Sequence, residues 1–214
     1  MSLWNDVFKK LRIPFVIAFV IAWFYWVGLE HPEWREKLGI HALDPAHWLG
    51  IFAVPLVHGS SEHLWNNLVA LFGLASLLYL NYYAVANRVM VLLWVCTGIL
   101  MFLITRPEFF HIGASGVVYS LIFFLVTAGF MIRKKGPLAV AFVVGIYYGG
   151  SFWGLFPLEQ GVSWDGHVSG AIAGMTIAFL FRKKLKAMFP PDELPDWMHE
   201  PEEGDEYKKF DSEA

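Results

Sequence analysis

Five polar side chains stand out because of what surrounds them: His58, His63, Asn67, Ser115 and His167 lie in or beside long apolar runs. Polar groups are costly in hydrocarbon, so each is a candidate for function. His63 and Asn67 are spaced i, i+4 and share one face of a helix, whereas Asn66 points about 100° away. In Gly113-Ala114-Ser115-Gly116 a serine stands between glycines where an apolar run begins. Glycine lets the backbone bend and lets another group approach closely. A helix start offers free N–H groups and a partial positive charge, which suit a developing oxyanion. Gly166, Gly170 and Gly174 recur every four residues beside His167, a small-residue face for tight packing on a neighbouring helix. If that neighbour carries Ser115, His167 is brought towards the serine. Each feature alone has a plainer reading. A lone serine bonds its own backbone, an interfacial histidine serves structure, and a glycine stripe serves packing.

The elements that must position these groups follow from composition. Of 214 residues, 57% are hydrophobic and only 16% charged, against about 25% charged in a soluble domain, which points to a bilayer as the solvent. The formal net charge of −3 says little, because the charges sit in patches. The single cysteine, Cys96, excludes an intrachain disulfide and reads as a small buried hydrophobe. A spanning helix needs about 20 apolar residues, and six stretches provide them, near 13–29, 64–82, 87–105, 113–132, 137–158 and 166–182. Backbone polar groups must be paired in lipid, so each span is helical. The boundary between the second and third spans is open, with only Arg88 separating their apolar runs. Lys9, Lys10 and Arg12 precede the first run as they would in a signal peptide. That run ends in Trp26-Val27-Gly28-Leu29-Glu30, without a small-x-small cleavage site, and is expected to be retained.

Lysine and arginine set the orientation. With the N-terminus inside, the inner segments hold eleven basic residues: Lys9, Lys10, Arg12, Arg88, Arg133, Lys134, Lys135, Arg182, Lys183, Lys184 and Lys186. The outer segments hold three, Arg35, Lys37 and Arg106. Both termini are therefore expected to be cytoplasmic. Spans two, four and six then all start at the outer face, which places His63, Asn67, Ser115 and His167 at similar depth just below it. The first outer loop, 30–62, carries Trp34 and Trp48 and is expected to lie partly in the interface. The domain organisation is a membrane domain over 1–186 and an acidic cytoplasmic tail over 187–214, expected to be disordered. No internal repeat is visible.

Three blocks of this sequence, His58-Gly-Ser-Ser-Glu-His63-Leu-Trp-Asn-Asn67, Gly113-Ala-Ser115-Gly116 and Gly166-His167-Val-Ser-Gly170-Ala-Ile-Ala-Gly174, resemble the signature blocks of rhomboid intramembrane serine proteases. They fall in spans two, four and six in the family's order, and the resemblance covers roughly Pro14 to Lys186. It implies an all-α integral membrane protein, a rhomboid-like bundle of six transmembrane helices. It implies that Ser115 is the nucleophile and His167 the general base, with an oxyanion hole made by His63, Asn67 and the Ser115 backbone N–H. Gly113 would shape the loop beside Ser115, and Tyr119 would pack under the His167 ring. His58 would be a structural hydrogen-bonding residue, and Gly170 and Gly174 would seat span six on span four. The implied substrates are transmembrane proteins cut near their outer ends, in contact with membrane lipid, with no cofactor, metal or nucleic acid. The expected location is the bacterial cytoplasmic (inner) membrane. One departure concerns the first outer loop. Many members carry a Trp-Arg pair there, and this chain reads Trp48-Leu49-Gly50-Ile51-Phe52, which leaves the anchoring of the loop to be explained.

Other chemistries fit less well. No span holds the His-Glu-x-x-His of a metalloprotease or the paired aspartates of an aspartyl protease. A haem or metal site built from His58, His63, His111 and His167 has no cysteine or carboxylate support and leaves Ser115 and Asn67 unexplained. An inactive, binding-only relative of the proteases would not need Ser115 and His167. No carboxylate lies within a span, so a Ser115–His167 site would be a dyad. Asp165, two residues from His167, reads as a solvated loop residue.

Overall fold

The computed structural model describes residues 3–158 and 163–190. Most of the acidic tail therefore lies outside the described residues, as do residues 159–162. The described chain is largely helical: α1 (Leu3–Gly28), α2 (Glu33–Leu38), α3 (Gly50–Ala53), α4 (Ser61–Asn81), α5 (Tyr83–Ile104), α6 (Ser115–Ile132), α7 (Lys135–Tyr148) and α8 (Trp164–Ala187). One small antiparallel ladder joins β1 (Ile40–His41) to β2 (Phe110–His111), pairing Ile40 with His111 and His41 with Phe110.

The helices depart from the apolar runs where local chemistry says they should. α1 extends into the polar N-terminal segment, where Lys10 pairs with Asp6 one turn away at 2.9 Å. α4 starts behind Ser60, whose backbone is extended and whose hydroxyl accepts the His63 N–H at 3.1 Å, an ordinary N-cap. The open boundary between the second and third runs is a break at Tyr82 (φ −128°, ψ 34°). The fifth run, expected to be helical through residue 158, leaves the α-helix at Tyr148 and tightens into a 3-10 turn over Gly149–Leu155. The glycine pair Gly149-Gly150 lowers helix propensity at that point.

Among the described residues, five helices are long and apolar enough to cross a membrane: α1, α4, α5, α6, and α7 with its 3-10 extension to Leu155. The sixth expected span, α8, has the length at 24 residues. Its polar start, Trp164-Asp165-Gly166-His167, and its basic end, Arg182 to Lys186, leave it below the same standard of apolarity.

α6 is the hub, packed most extensively against α8 and then against α7, α4 and α5. Its Leu121, Phe124 and Leu125 are fully buried with Leu71, Leu74 and Leu78 of α4 and Leu93 of α5. Lipid tails are as apolar as leucine, so this packing draws on close van der Waals contact rather than on exclusion of water. The α6–α8 contact goes to the limit. A Cβ on Gly170 would overlap the Gly116 carbonyl oxygen, and one on Gly174 would overlap that of Ser120.

The loop between α1 and α4 is structured, and its anchoring is visible. The Trp94 indole N–H of α5 donates to the Phe52 carbonyl at 2.8 Å. Gly98 of α5 admits the Ile51 carbonyl, which any side chain there would strike. Leu43 N–H donates to the Phe102 carbonyl at 2.9 Å. Backbone contacts to α5 thus hold the loop where the Trp-Arg pair is missing. Trp34 is half-buried and Trp48 exposed.

Candidate active site

Ser115 is the first residue of α6, and the turn before it is built on a position that only glycine fills well. Gly113 has φ +105°, a conformation that side chains rarely adopt. A Cβ there would also stand 2.6 Å from the His63 ring and 3.3 Å from the Asn67 amide nitrogen. Gly113 N–H donates to the Val54 carbonyl at 3.1 Å, and Ala114 N–H donates to His58 Nε2 at 3.4 Å. His58 is buried and meets His63 edge to face, with ring centroids 4.9 Å apart. Burial, and secondarily the neighbouring His63, pushes the His58 imidazole down to about 3. It is therefore neutral at ordinary pH and can accept the Ala114 N–H.

His167 comes to this turn from α8. The close glycine contacts bring its helix onto α6, and its Nε2 lies 3.0 Å from Ser115 Oγ. Its Nδ1 lies 2.8 Å from the Gly154 carbonyl oxygen. A carbonyl only accepts, so Nδ1 carries the proton and Nε2 presents its lone pair to the serine hydroxyl. The Tyr119 ring lies flat against the imidazole at 4.1 Å between centroids and 8° between planes. The Tyr119 hydroxyl donates to the Ser151 carbonyl at 2.5 Å. Gly154 has no room for a side chain, because a Cβ would overlap the Tyr119 hydroxyl. The 3-10 turn after α7 thus supplies what a carboxylate supplies in a triad, an acceptor that fixes the tautomer and the ring plane.

His63, Asn67, Ser115 and His167 surround one open cavity of about 510 Å³, with Phe110, Ile112 and Ser163 on its other sides. The Asn67 amide nitrogen is buried and has no hydrogen-bond partner. An unpaired buried donor costs about 1–3 kcal/mol, and it is available to an oxygen that forms in the cavity. The Ser115 N–H belongs to the first turn of α6, where backbone donors have no intrahelical acceptor. The arrangement can therefore deprotonate a hydroxyl and receive an oxyanion beside it.

The four histidines do not converge. His58 and His63 sit together, His167 faces Ser115, and His111 lies 2.6 Å from Ser163 Oγ. Among the described residues, no three His, Cys, Asp or Glu side chains form a group that could hold a metal ion.

Asp165 corrects the sequence reading. It is not a solvated loop residue but is buried in the first turn of α8, with an ion pair to Arg106. The His167 ring nitrogens face Gly154 and Ser115, not Asp165. The sequence reading also missed Gly154, since a backbone acceptor leaves no side-chain signature. Phe110, Ile112 and Ser163 went unremarked because their place on the cavity depends on loop folding.

Comparison with known proteins agrees with this architecture. Residues 45–184 match the Rhomboid domain family. Uncharacterized proteins of Mycobacterium bovis and Mycobacterium tuberculosis are each 32% identical over 187 residues, covering 81% of this chain and 78% of theirs. A third, from Mycobacterium leprae, is 31% identical over 182 residues, covering 78% of this chain and 72% of its own. With five apolar helices of spanning length and a matching domain over most of its length, this integral, multi-pass membrane protein belongs to the rhomboid family of intramembrane proteases.

Proposed function

We propose that the protein is an intramembrane serine endopeptidase that cleaves transmembrane segments of membrane proteins near their outer ends. The observation that carries this reading is the 3.0 Å approach of His167 Nε2 to Ser115 Oγ, with Nδ1 held by the Gly154 carbonyl. A serine hydroxyl is a poor nucleophile until a base takes its proton. Ser115 Oγ attacks the scissile carbonyl carbon while its proton passes to His167 Nε2. The resulting oxyanion is received by the Ser115 N–H, the Asn67 amide and the His63 ring. As the tetrahedral intermediate collapses, the C–N bond breaks and His167 returns the proton to the leaving amine. Water then attacks the acyl-enzyme with the same base, and Ser115 is regenerated. His58 and Gly113 hold the turn before Ser115, Tyr119 supports the imidazole, and Gly170 and Gly174 set the spacing of the two helices.

The reading requires α8 to be a sixth span, with both termini cytoplasmic. At 1.5 Å per residue its 24 residues reach about 36 Å, more than the roughly 30 Å hydrocarbon core, and its terminal lysines and arginine can snorkel. The membrane domain is then 1–186, with 187–214 as a cytoplasmic tail. The bacterial source of the relatives supports the cytoplasmic (inner) membrane as its location. Reporter fusions after Arg133 and after Lys186 are expected to read cytoplasmic, and one near Glu36 external. An external reading after Lys186 would remove the sixth span.

The activity is tested with a panel of single-span substrates in liposomes. Ser115→Ala and His167→Ala are each expected to abolish cleavage while keeping the wild-type melting midpoint. The double variant should be no worse than either, since members of one catalytic unit are strongly non-additive. Cleavage by Ser115→Ala at the wild-type rate would end the serine-protease reading.

A further inference from the structure

Asp165 stands at a junction that the dyad does not explain. Its side chain is 7% exposed, and both carboxylate oxygens are used. Oδ2 accepts the Arg106 backbone N–H at 3.0 Å and the Arg106 Nε–H at 3.2 Å. Oδ1 accepts the Gly166 N–H at 3.0 Å and receives the Ser163 hydroxyl at 3.5 Å. Ser163 Oγ is 2.6 Å from His111 Nδ1. With the Ser163 proton directed to Asp165, the His111 Nδ1–H donates to Ser163, and a continuous chain links strand to helix. The Arg106 guanidinium is held over the Phe109 ring at 4.1 Å and over the Trp164 ring at 5.1 Å.

The two ends of this network lead to the two reacting groups. Arg106 and His111 belong to the segment between α5 and α6, and His111 is four residues before Ser115 on the strand that borders the cavity. Asp165 is two residues before His167 in the same helix. The close glycine contacts at Gly170 and Gly174 fix how near α8 approaches α6, but they lie beyond His167 and do not by themselves pin the first turn of α8 against sliding. A carboxylate with two charge-assisted bonds to Arg106 of the other segment opposes such sliding. An anionic group in the first turn of α8 also complements its helix dipole.

We propose that Asp165 is a positioning residue for the Ser115–His167 pair. It locks the first turn of α8 to the segment that leads into Ser115, and so sets the distance across which the proton moves. This rests on the dyad reading given above. Displacement of reacting groups by about 1 Å can cost about 10²-fold in rate, which sets the scale of the expected effect.

The test measures kcat and KM on a single-span substrate in detergent, well below each variant's melting midpoint. Rates are normalised to the sites titrated by a fluorophosphonate. Asp165→Ala is expected to lower kcat per titrated site by about 10²-fold with KM little changed. Asp165→Asn, which keeps the shape and one acceptor oxygen, should recover part of that loss. Arg106→Gln should act in the same direction, and Asp165→Asn combined with it should fall short of additivity. If Asp165→Ala does not fold, the Asp165→Asn and Arg106→Gln pair carries the test alone. An unchanged kcat per titrated site, with only the melting midpoint lowered, would overturn the positioning role. Ser115→Ala serves as the control: cleavage there would overturn the dyad itself, whereas an inactive Ser115→Ala beside a fully active Asp165→Asn would overturn only this inference.

Discussion

The central helix α6 and the outlying helices α1 and α7 solve the same problem, a helix in lipid, in opposite ways. In α6, 67% of the spanning window is buried within the protein, against 11% in α1 and 17% in the α7 segment. α1 shows Phe15, Phe19, Trp23 and Trp26 to its surroundings, and α7 shows Phe142, Ile146 and Tyr147. At the α6–α8 contact the side chains vanish and backbones meet at Gly170 and Gly174. Bulky apolar residues are at home in acyl chains and gain little by leaving them, so only close approach makes a helix pair specific. Ser115 and His167 sit on the pair whose geometry is set by backbone, where small displacements are least tolerated.

The largest effect that tests this contrast is Gly170→Val. Its side chain would drive into the Gly116 carbonyl, and overpacking is expected to cost about 1–3 kcal/mol or more, so the melting midpoint and proteolysis should fall together. The matching change on the outlying side, Ile146→Ala, removes a residue that is 79% exposed and should stay within about 0.5 kcal/mol of wild type. Equal losses from both, or none from Gly170→Val, would erase the distinction. A narrower effect, on rate alone, separates chemistry from packing within the central pair's surroundings. Asn67→Ala deletes a buried donor that has no partner, so it should lower kcat by about 10²–10³-fold and leave the melting midpoint unchanged. An undiminished rate would remove Asn67 from the site.

Much of this was legible in the sequence, for physical reasons. Polar groups are rare in apolar runs, so His63, Asn67, Ser115 and His167 could be picked out, and all four line one cavity. The glycine spacing of Gly166, Gly170 and Gly174 marked a face for close packing, though not which helix would meet it. What depended on distant partners was hidden. Asp165 looked solvated because its partner Arg106 is 59 residues away. The Gly154 carbonyl that orients His167 belongs to a 3-10 turn inside what reads as one continuous apolar run. The loop between α1 and α4 gave no sign of its anchors, because Gly98 and Trp94 lie within α5, where one admits a loop carbonyl and the other donates its indole N–H to one. The apolar count also pointed to α8 as a sixth span, although its polar start and basic end set it apart from the other five.

The central claim is that His167 activates Ser115, and covalent labelling tests it without any knowledge of the substrate. A fluorophosphonate should modify the wild-type protein, and peptide mass spectrometry should place the adduct on Ser115. His167→Ala, folded to the same melting midpoint, should label at a rate lower by about 10²-fold or more, since general-base assistance contributes about 10²–10⁴-fold. Labelling of His167→Ala at the wild-type rate, or an adduct on any residue other than Ser115, would contradict the account.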